Sequence, residues 1–399
     1  MNKQMLIRIL KSYDFTLIMA IIALSVFGLV MVYSASMVIA VTNYGFSSDF
    51  FYIKQFRHLL GGFVLFIAAA AIPYPHYKNK RFLVTIVLGS LISLIALNFM
   101  GHTAGNAESW FKIGPLGSIQ PSEFVKLGMI IYLSAAYTNK QKYINVFNKG
   151  VIPPLVFLIF ICLIIATQPD IGTAFIIFAS SCTIIICSGM NWKSLTKLIS
   201  ILVGAIALLT PFIFLFKDQI FTPKRLERFI GFLDPFSTEK YAGYQLVNSY
   251  VAIGNGGLSG VGFGQSTQKY GYLPEPHTDF IMSVISEELG LVGVGFVLIC
   301  LGIIVLKGIR VAIRSNDPFG SMLAVGISSM IGIQAMINLG GVTGLMPITG
   351  VTLPFISYGG SSLFVLMISV GILVNISMMT RYYELYKKES SIKEKSVQG

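Results

Sequence analysis

Charge is what this 399-residue chain has least of. Asp, Glu, Lys and Arg make up 12% of it, where an ordinary soluble domain carries roughly a quarter. With 54% hydrophobic residues and a mean hydropathy of +0.76, too little polar surface is left to wrap the apolar remainder in water. That excludes a soluble globular fold and makes lipid the expected solvent. Cysteine is down to four, Cys162, Cys182, Cys187 and Cys300. All four fall in apolar stretches and match neither a disulfide framework nor metal-ligand spacing. A cleavable leader is not expected either. The first apolar run, from Phe15, is too long for a signal-peptide core and lacks a small-residue cleavage site.

What the chain does have is a recurring apolar run. At 1.5 Å per residue, about 20 residues cross the roughly 30 Å hydrocarbon layer. Such runs lie near 15–38, 58–72, 82–100, 122–137, 151–167, 171–189, 196–216, 279–306, 320–340 and 357–378. The expected fold is therefore all-α, one polytopic membrane bundle over 1–399 with about ten transmembrane helices. The second and fourth runs are the shortest.

Alternate loops carry Lys78, Lys80 and Arg81, then Lys140, Lys142 and Lys149, then Lys193 and Lys197, then Lys307, Arg310 and Arg314. With both termini, that face holds 19 Lys and Arg against 9 on the other, Lys126 lying inside a span. An excess of this kind marks the cytoplasmic side, so both termini, including the tail 380–399, are expected in the cytoplasm. The net charge of +12 then reflects topology and contact with anionic headgroups. It gives no reason to expect nucleic acid.

Most connections are short, but residues 217–278 form a long extracytoplasmic loop between spans seven and eight, and loops of that length usually carry function. Its mixture of charged and apolar residues suggests a segment lying on or dipping into the membrane surface. The run IGNGGLSGVGFG, 253–264, lacks true GxGxxG spacing and the flanking strand and helix of a dinucleotide fold. It reads as backbone that bends tightly or closely approaches a neighbour.

Ionisable residues at membrane depth need a reason. Glu123 and Lys126 stand three apart and share a helix face, as an ion pair or as functional groups. Asp170 follows Gln168 and Pro169, where capping the next helix is the favoured duty. In LPEPHTDFIMSVISEELG, 273–290, Asp279 sits at a helix start. Ser283, Ser286 and Glu287 fall on roughly its face, while Glu288 points elsewhere. On periodicity alone Asp279 is no more than a cap.

Six strings, in order, change that reading: SWFKIGPLGSIQPSEFVKL (109–127), TQPDIGTA (167–174), RLERFIGFLDPF (225–236), YQLVNSYVAIGNGGLSGVGFGQSTQKYGYLPEPHTDFI (244–281), EELGLVG (287–293) and MPITGVTLPFISYGGSS (346–362). Together they resemble the SEDS family (shape, elongation, division, sporulation). QKYGYLPE and Thr352 resemble its division and sporulation branches more than its elongation branch. One position departs: many members carry Arg just before the Trp matching Trp110, and here Ser109 stands there, with Lys112 close by.

The resemblance implies a peptidoglycan glycosyltransferase of the plasma membrane that polymerises lipid II at the division septum. It also implies a class B penicillin-binding protein as crosslinking partner, alongside other division proteins. It makes Asp279 the expected catalytic residue. The expected substrate-contacting set is Glu123, Lys126, Arg225, Arg228, Gln245, Lys269, His277, Thr278, Glu288, Ser357, Gly359 and Gly360.

The chemistry agrees. One carboxylate base deprotonates the acceptor hydroxyl, while the departing pyrophosphate needs positive charge in place of a proton. Lys126, Arg225, Arg228 and Lys269 are the available cations. A divalent ion, Mg or Mn, could share the task, held partly by substrate phosphates since no carboxylate or His cage is evident. The turn at LPFISYGGSS, with Pro354, Gly359 and Gly360, allows irregular backbone beside a cavity, and the short second and fourth spans suggest a lipid-open groove. Two other classes stay open, a transporter of the same lipid-linked precursor and a division scaffold without catalysis of its own.

Overall fold

A computed structural model describes residues 3–100, 102–104, 107–112, 118–168, 170–215 and 223–387. They are predominantly helical: α1 (Lys3–Ser12), α2 (Phe15–Thr42), α3 (Phe50–Ala71), α4 (Lys80–Met100), α5 (Pro121–Asn139), α6 (Phe147–Gly150), α7 (Ile152–Thr167), α8 (Ile171–Cys187), α9 (Trp192–Leu215), α10 (Pro223–Leu233), α11 (Tyr244–Gly256), α12 (Ile281–Arg314), α13 (Pro318–Val342) and α14 (Gly360–Tyr382). Each apolar run of the sequence coincides with one helix. Among the described residues, α2, α3, α4, α12, α13 and α14 are long and apolar enough to cross a membrane, which makes this a multi-pass membrane protein. α7 and α8 are apolar but span only 16 and 17 residues.

Three features depart from the sequence reading. The amphipathic helix α1 precedes the first apolar run. The second span is not short, because α3 begins at Phe50 and runs 22 residues. Its first two turns, FFYIKQFRH, carry polar groups that hide a helix from an apolar-run count. With α5 at 19 residues, the two spans expected to be shortest are both longer than α7 and α8, so a groove cannot be argued from their brevity. Finally, residues 102–119 include a small antiparallel sheet, β1 (His102–Ala104), β2 (Ala107–Lys112) and β3 (Ser118–Ile119), pairing His102 with Trp110 and Phe111 with Ile119.

The core lies where α3 packs along α14, α13 packs on α8 and α12, and α12 packs on α2. A span has no water to satisfy polar groups, so its hydroxyls bond back to their own helix. Ser25, Ser328 and Ser369 donate to the carbonyls of Ile21, Ala324 and Val365 at 2.7–2.8 Å.

The described part of the long loop is bound to the bundle over much of its length. Ser249 on α11 exchanges a hydrogen bond with Ser283 on α12 at 2.8 Å and donates to the Val342 carbonyl of α13 at 2.7 Å. Beyond α11 the chain enters the hydrogen-bond ladder of α12 itself. The Val261 and Gly262 amides donate to the carbonyls of Glu287 and Glu288 at 2.9 and 3.0 Å, and the Leu291 amide donates to Gly257. Those exchanges interrupt the ladder, and α12 kinks at Gly290, whose φ of 61° and ψ of −156° are not helical. An inserted segment is a recognised cause of a sharp kink.

Gly260 faces the same junction with φ +76°, and a Cβ there would collide with the Glu288 carbonyl. Gly260→Ala is therefore expected to lower the melting temperature by the equivalent of about 2 kcal/mol, the left-handed backbone contributing 1–2 of it. Thermal unfolding in detergent measures this.

Candidate active site

The helices α5, α8 and α14 begin at one place, tied by side chains from their first turns. Gln120 and Ser122 donate to one oxygen of Asp170 at 2.8 and 2.9 Å, while its other oxygen caps α8 by accepting from the Thr173 amide at 3.2 Å. The Gln120 amide in turn donates to the Ser361 hydroxyl at 3.1 Å. Asp170 thus performs its cap and also joins the two family strings QPSE and QPDIGTA. Each helix N-terminus carries a partial positive charge, and here three of them are gathered together.

One turn into α5, Glu123 and Lys126 form the i,i+3 ion pair at 2.9 Å, both buried. Lys126 also donates to the Gln334 side-chain oxygen on α13 at 3.0 Å, and the Gln334 amide donates to the Thr352 carbonyl at 3.1 Å. A buried ammonium is tolerated only with such partners.

Asp279 is half-buried just before α12. Its carboxylate lies beside Gly350, where an added Cβ would sit 3.6 Å from Oδ2. The backbone leading to it is held at three successive carbonyls: His277 accepts from the Tyr358 amide at 2.9 Å, Thr278 from the Ser357 hydroxyl at 2.6 Å, and Asp279 from the Asn338 side chain at 2.9 Å. Gln55 on α3 braces the turn, donating to the Ser357 carbonyl and accepting from the Gly359 amide, both at 3.3 Å. Ser357 and Gly359 therefore shape the backbone around Asp279. At Gly360 the His58 ring packs so closely that a Cβ would sit 2.9 Å from it.

His277 is packed away, 2% exposed, with its ring centroid 4.5 Å from Phe51 and 5.5 Å from Tyr358. Burial pushes its pKa down to about 4, so the ring is neutral at physiological pH. Because the folded value lies below the unfolded one near 6.5, its contribution is present above pH 6.5 and lost as pH falls through 4. Melting temperature is expected to fall over that window by the equivalent of 1–3 kcal/mol, and His277→Gln to flatten the slope.

Lys269 and Glu288 are engaged with each other. They pair at 2.7 Å with both side chains 0% exposed. Ser34 of α2 donates to Glu288 at 2.7 Å, and Lys269 also donates to the Gly264 carbonyl at 2.8 Å. Next to them Glu287 accepts from Ser266, from both the amide and hydroxyl of Thr267, and from the Gln268 amide. The two carboxylates fasten residues 264–269 onto α12. Gln245 is half-buried at the start of α11, and Thr278 bonds to Glu275. The Arg225 and Arg228 side chains lie outside the described residues, although both positions fall in α10. Among the described residues, no three His, Cys, Asp or Glu come together as a metal cage.

Sequence reasoning missed Gln55, Gln334 and Asn338. The only signal for them is an amide side chain inside an apolar span, and their partners are far away in sequence.

A family model for cell cycle proteins, covering FtsW, RodA and SpoVE, matches residues 15–382. The chain belongs to this family. It is 54% identical to the protein named Probable peptidoglycan glycosyltransferase FtsW of Bacillus subtilis (strain 168), over 98% of this chain and 97% of that one. Stage V sporulation protein E of the same organism is 39% identical, over 93% and 98% of the two chains. Among solved structures, a chain from a study of the structural coordination of polymerization and crosslinking by a peptidoglycan synthase complex superposes with a TM-score of 0.70. That match covers 92% of this chain and 98% of the other at 24% identity, and it shows that the fold is shared.

Proposed function

We propose that this chain is a peptidoglycan glycosyltransferase that polymerises lipid II during cell division. The observation that carries the reading is its 54% identity, over almost the whole length, to a relative named for that activity. The geometry supports it. Asp279 would act as general base, taking the proton from the acceptor sugar hydroxyl as that oxygen bonds to the anomeric carbon of the donor. The bond between that carbon and the pyrophosphate oxygen breaks, and the pyrophosphate leaves with its negative charge. Direct displacement inverts the anomeric centre and needs no carboxylate nucleophile.

The leaving group calls for positive potential already in place. The gathered N-termini of α5, α8 and α14 would supply it, Lys126 adding to them as a cation already partly neutralised by Glu123. Lys269 is a poor candidate, because Glu288 neutralises it at 0% exposure. Arg225 and Arg228 retain their proposed part as substrate contacts. A magnesium or manganese ion, if used, would be held partly by substrate phosphates, as is common for magnesium, since no cage of His, Cys, Asp or Glu forms among the described residues.

The proposed setting is the plasma membrane at the septum, with ten crossings, both termini in the cytoplasm and the 217–278 loop outside. A class B penicillin-binding protein would crosslink the strands, among other division proteins. Purified chain with a crosslinking-dead form of that partner is expected to convert lipid II into glycan strands. A failure to do so, together with precursor crossing sealed vesicles in a manner dependent on this chain, would replace the polymerase reading with transport.

A further inference from the structure

Three successive carbonyls, those of 277, 278 and 279, are each caught by a donor from elsewhere in the fold. The first two donors belong to the 353–359 turn; the third comes from a membrane helix. Asn338 of α13, 4% exposed, spends its side-chain amide on two backbone oxygens, those of Asp279 at 2.9 Å and Val351 at 2.8 Å. One helical turn earlier on the same face, Gln334, 1% exposed, bonds the adjacent Thr352 carbonyl and Lys126. Two amides in an apolar span cost desolvation that leucines would not. In return they hold consecutive peptide units against a rigid helix, with Asp279 fixed at one end of the strip and Lys126 at the other.

We propose that Asn338 is a positioning residue for the reaction: by fixing the Asp279 carbonyl against α13, it sets where the Asp279 carboxylate stands relative to Lys126. This rests on the polymerase reading above. The carboxylate lies beside Gly350, and the carbonyl of the same residue is a point from which its direction is controlled. Gln334 is the companion anchor. A small displacement of a reacting group weakens catalysis without weakening binding, by up to roughly 100-fold for about 1 Å.

The test uses the full chain with its penicillin-binding partner and lipid II, comparing wild type with Asn338→Leu and, should that variant not fold, Asn338→Ser. Lipid II binding stoichiometry counts the competent molecules, and kcat is expressed per competent molecule. The expected result is a kcat 10- to 100-fold lower, with KM within about twofold of wild type and full stoichiometry. A purely structural role would instead lower stoichiometry and melting temperature while leaving kcat per competent molecule unchanged, and that result overturns the inference. A wild-type chain that makes no glycan removes the polymerase reading and the inference with it. An active wild type matched by the variants removes the inference alone.

Discussion

Asp279→Asn is expected to lower glycan polymerisation by roughly 100- to 10,000-fold, the usual contribution of a positioned base, while melting temperature and lipid II binding stay near wild type. Asn has nearly the shape of Asp and preserves the 277–279 backbone contacts, which are made by carbonyls and not by the carboxylate. What it removes is the capacity to take a proton. Asp279→Glu is expected to fail as well. One more methylene moves the carboxylate away from the place that the 277–279 backbone contacts set for it, and a displacement of about 1 Å weakens catalysis by up to roughly 100-fold. Asp234→Asn serves as the control. Asp234 is an exposed carboxylate of the same loop that accepts from the Ser237 amide, and its loss should leave the rate unchanged. Glycan length and initial rate, measured on labelled lipid II, decide the matter. Near-wild-type activity in Asp279→Asn would end the assignment of a base to this position.

How far the site could be read beforehand depends on how local its causes are. The Glu123 and Lys126 pair was legible because helix spacing alone brings residues three apart together. The Asp170 cap was legible because a carboxylate before an apolar run has one usual duty. The tight approaches of the 253–264 run followed from its glycines, and Gly256 and Gly260, packed on the Ser286 and Glu288 carbonyls, show where that freedom is used. The role proposed for Asp279 came only from resemblance. Its surroundings, Gly350, Asn338 and the Ser357 turn, are separated from it by dozens of residues, and no periodicity announces such neighbours. Gln55 reaches across 302 residues to the Ser357 carbonyl. The α12 kink was hidden for the same reason: EELG reads as uninterrupted helix until the amides of 261 and 262 claim two of its carbonyls. The early start of α3 was missed for a different cause, since its first turns are amphipathic and an apolar-run count sees only the span's interior.

Lys269 was legible as a cation but not as a buried one, and that difference sets the second large expectation. Lys269→Met leaves the Glu288 carboxylate at 0% exposure with Ser34 as a remaining donor. Removing one partner of a buried ion pair costs about 3–5 kcal/mol, so little folded chain should survive purification, as followed by thermal unfolding and monodispersity in detergent. Adding Glu288→Leu removes the stranded charge, and the double variant is expected to recover most of that loss. It retains a deficit of about 1–3 kcal/mol, because the Gly264 carbonyl and Ser34 hydroxyl lose their partners. A cation serving substrate at the surface predicts the opposite pattern: Lys269→Met folds normally and loses activity, and Glu288→Leu does nothing to repair it. The rescue, measured as melting temperature, therefore separates a charge that fastens the loop to α12 from one that handles pyrophosphate. With the loop fastened, the 273–280 segment is held at both ends, by the Glu287 and Glu288 contacts before it and by α12 after it, and Asp279 sits at its α12 end, directly before the N-cap Phe280.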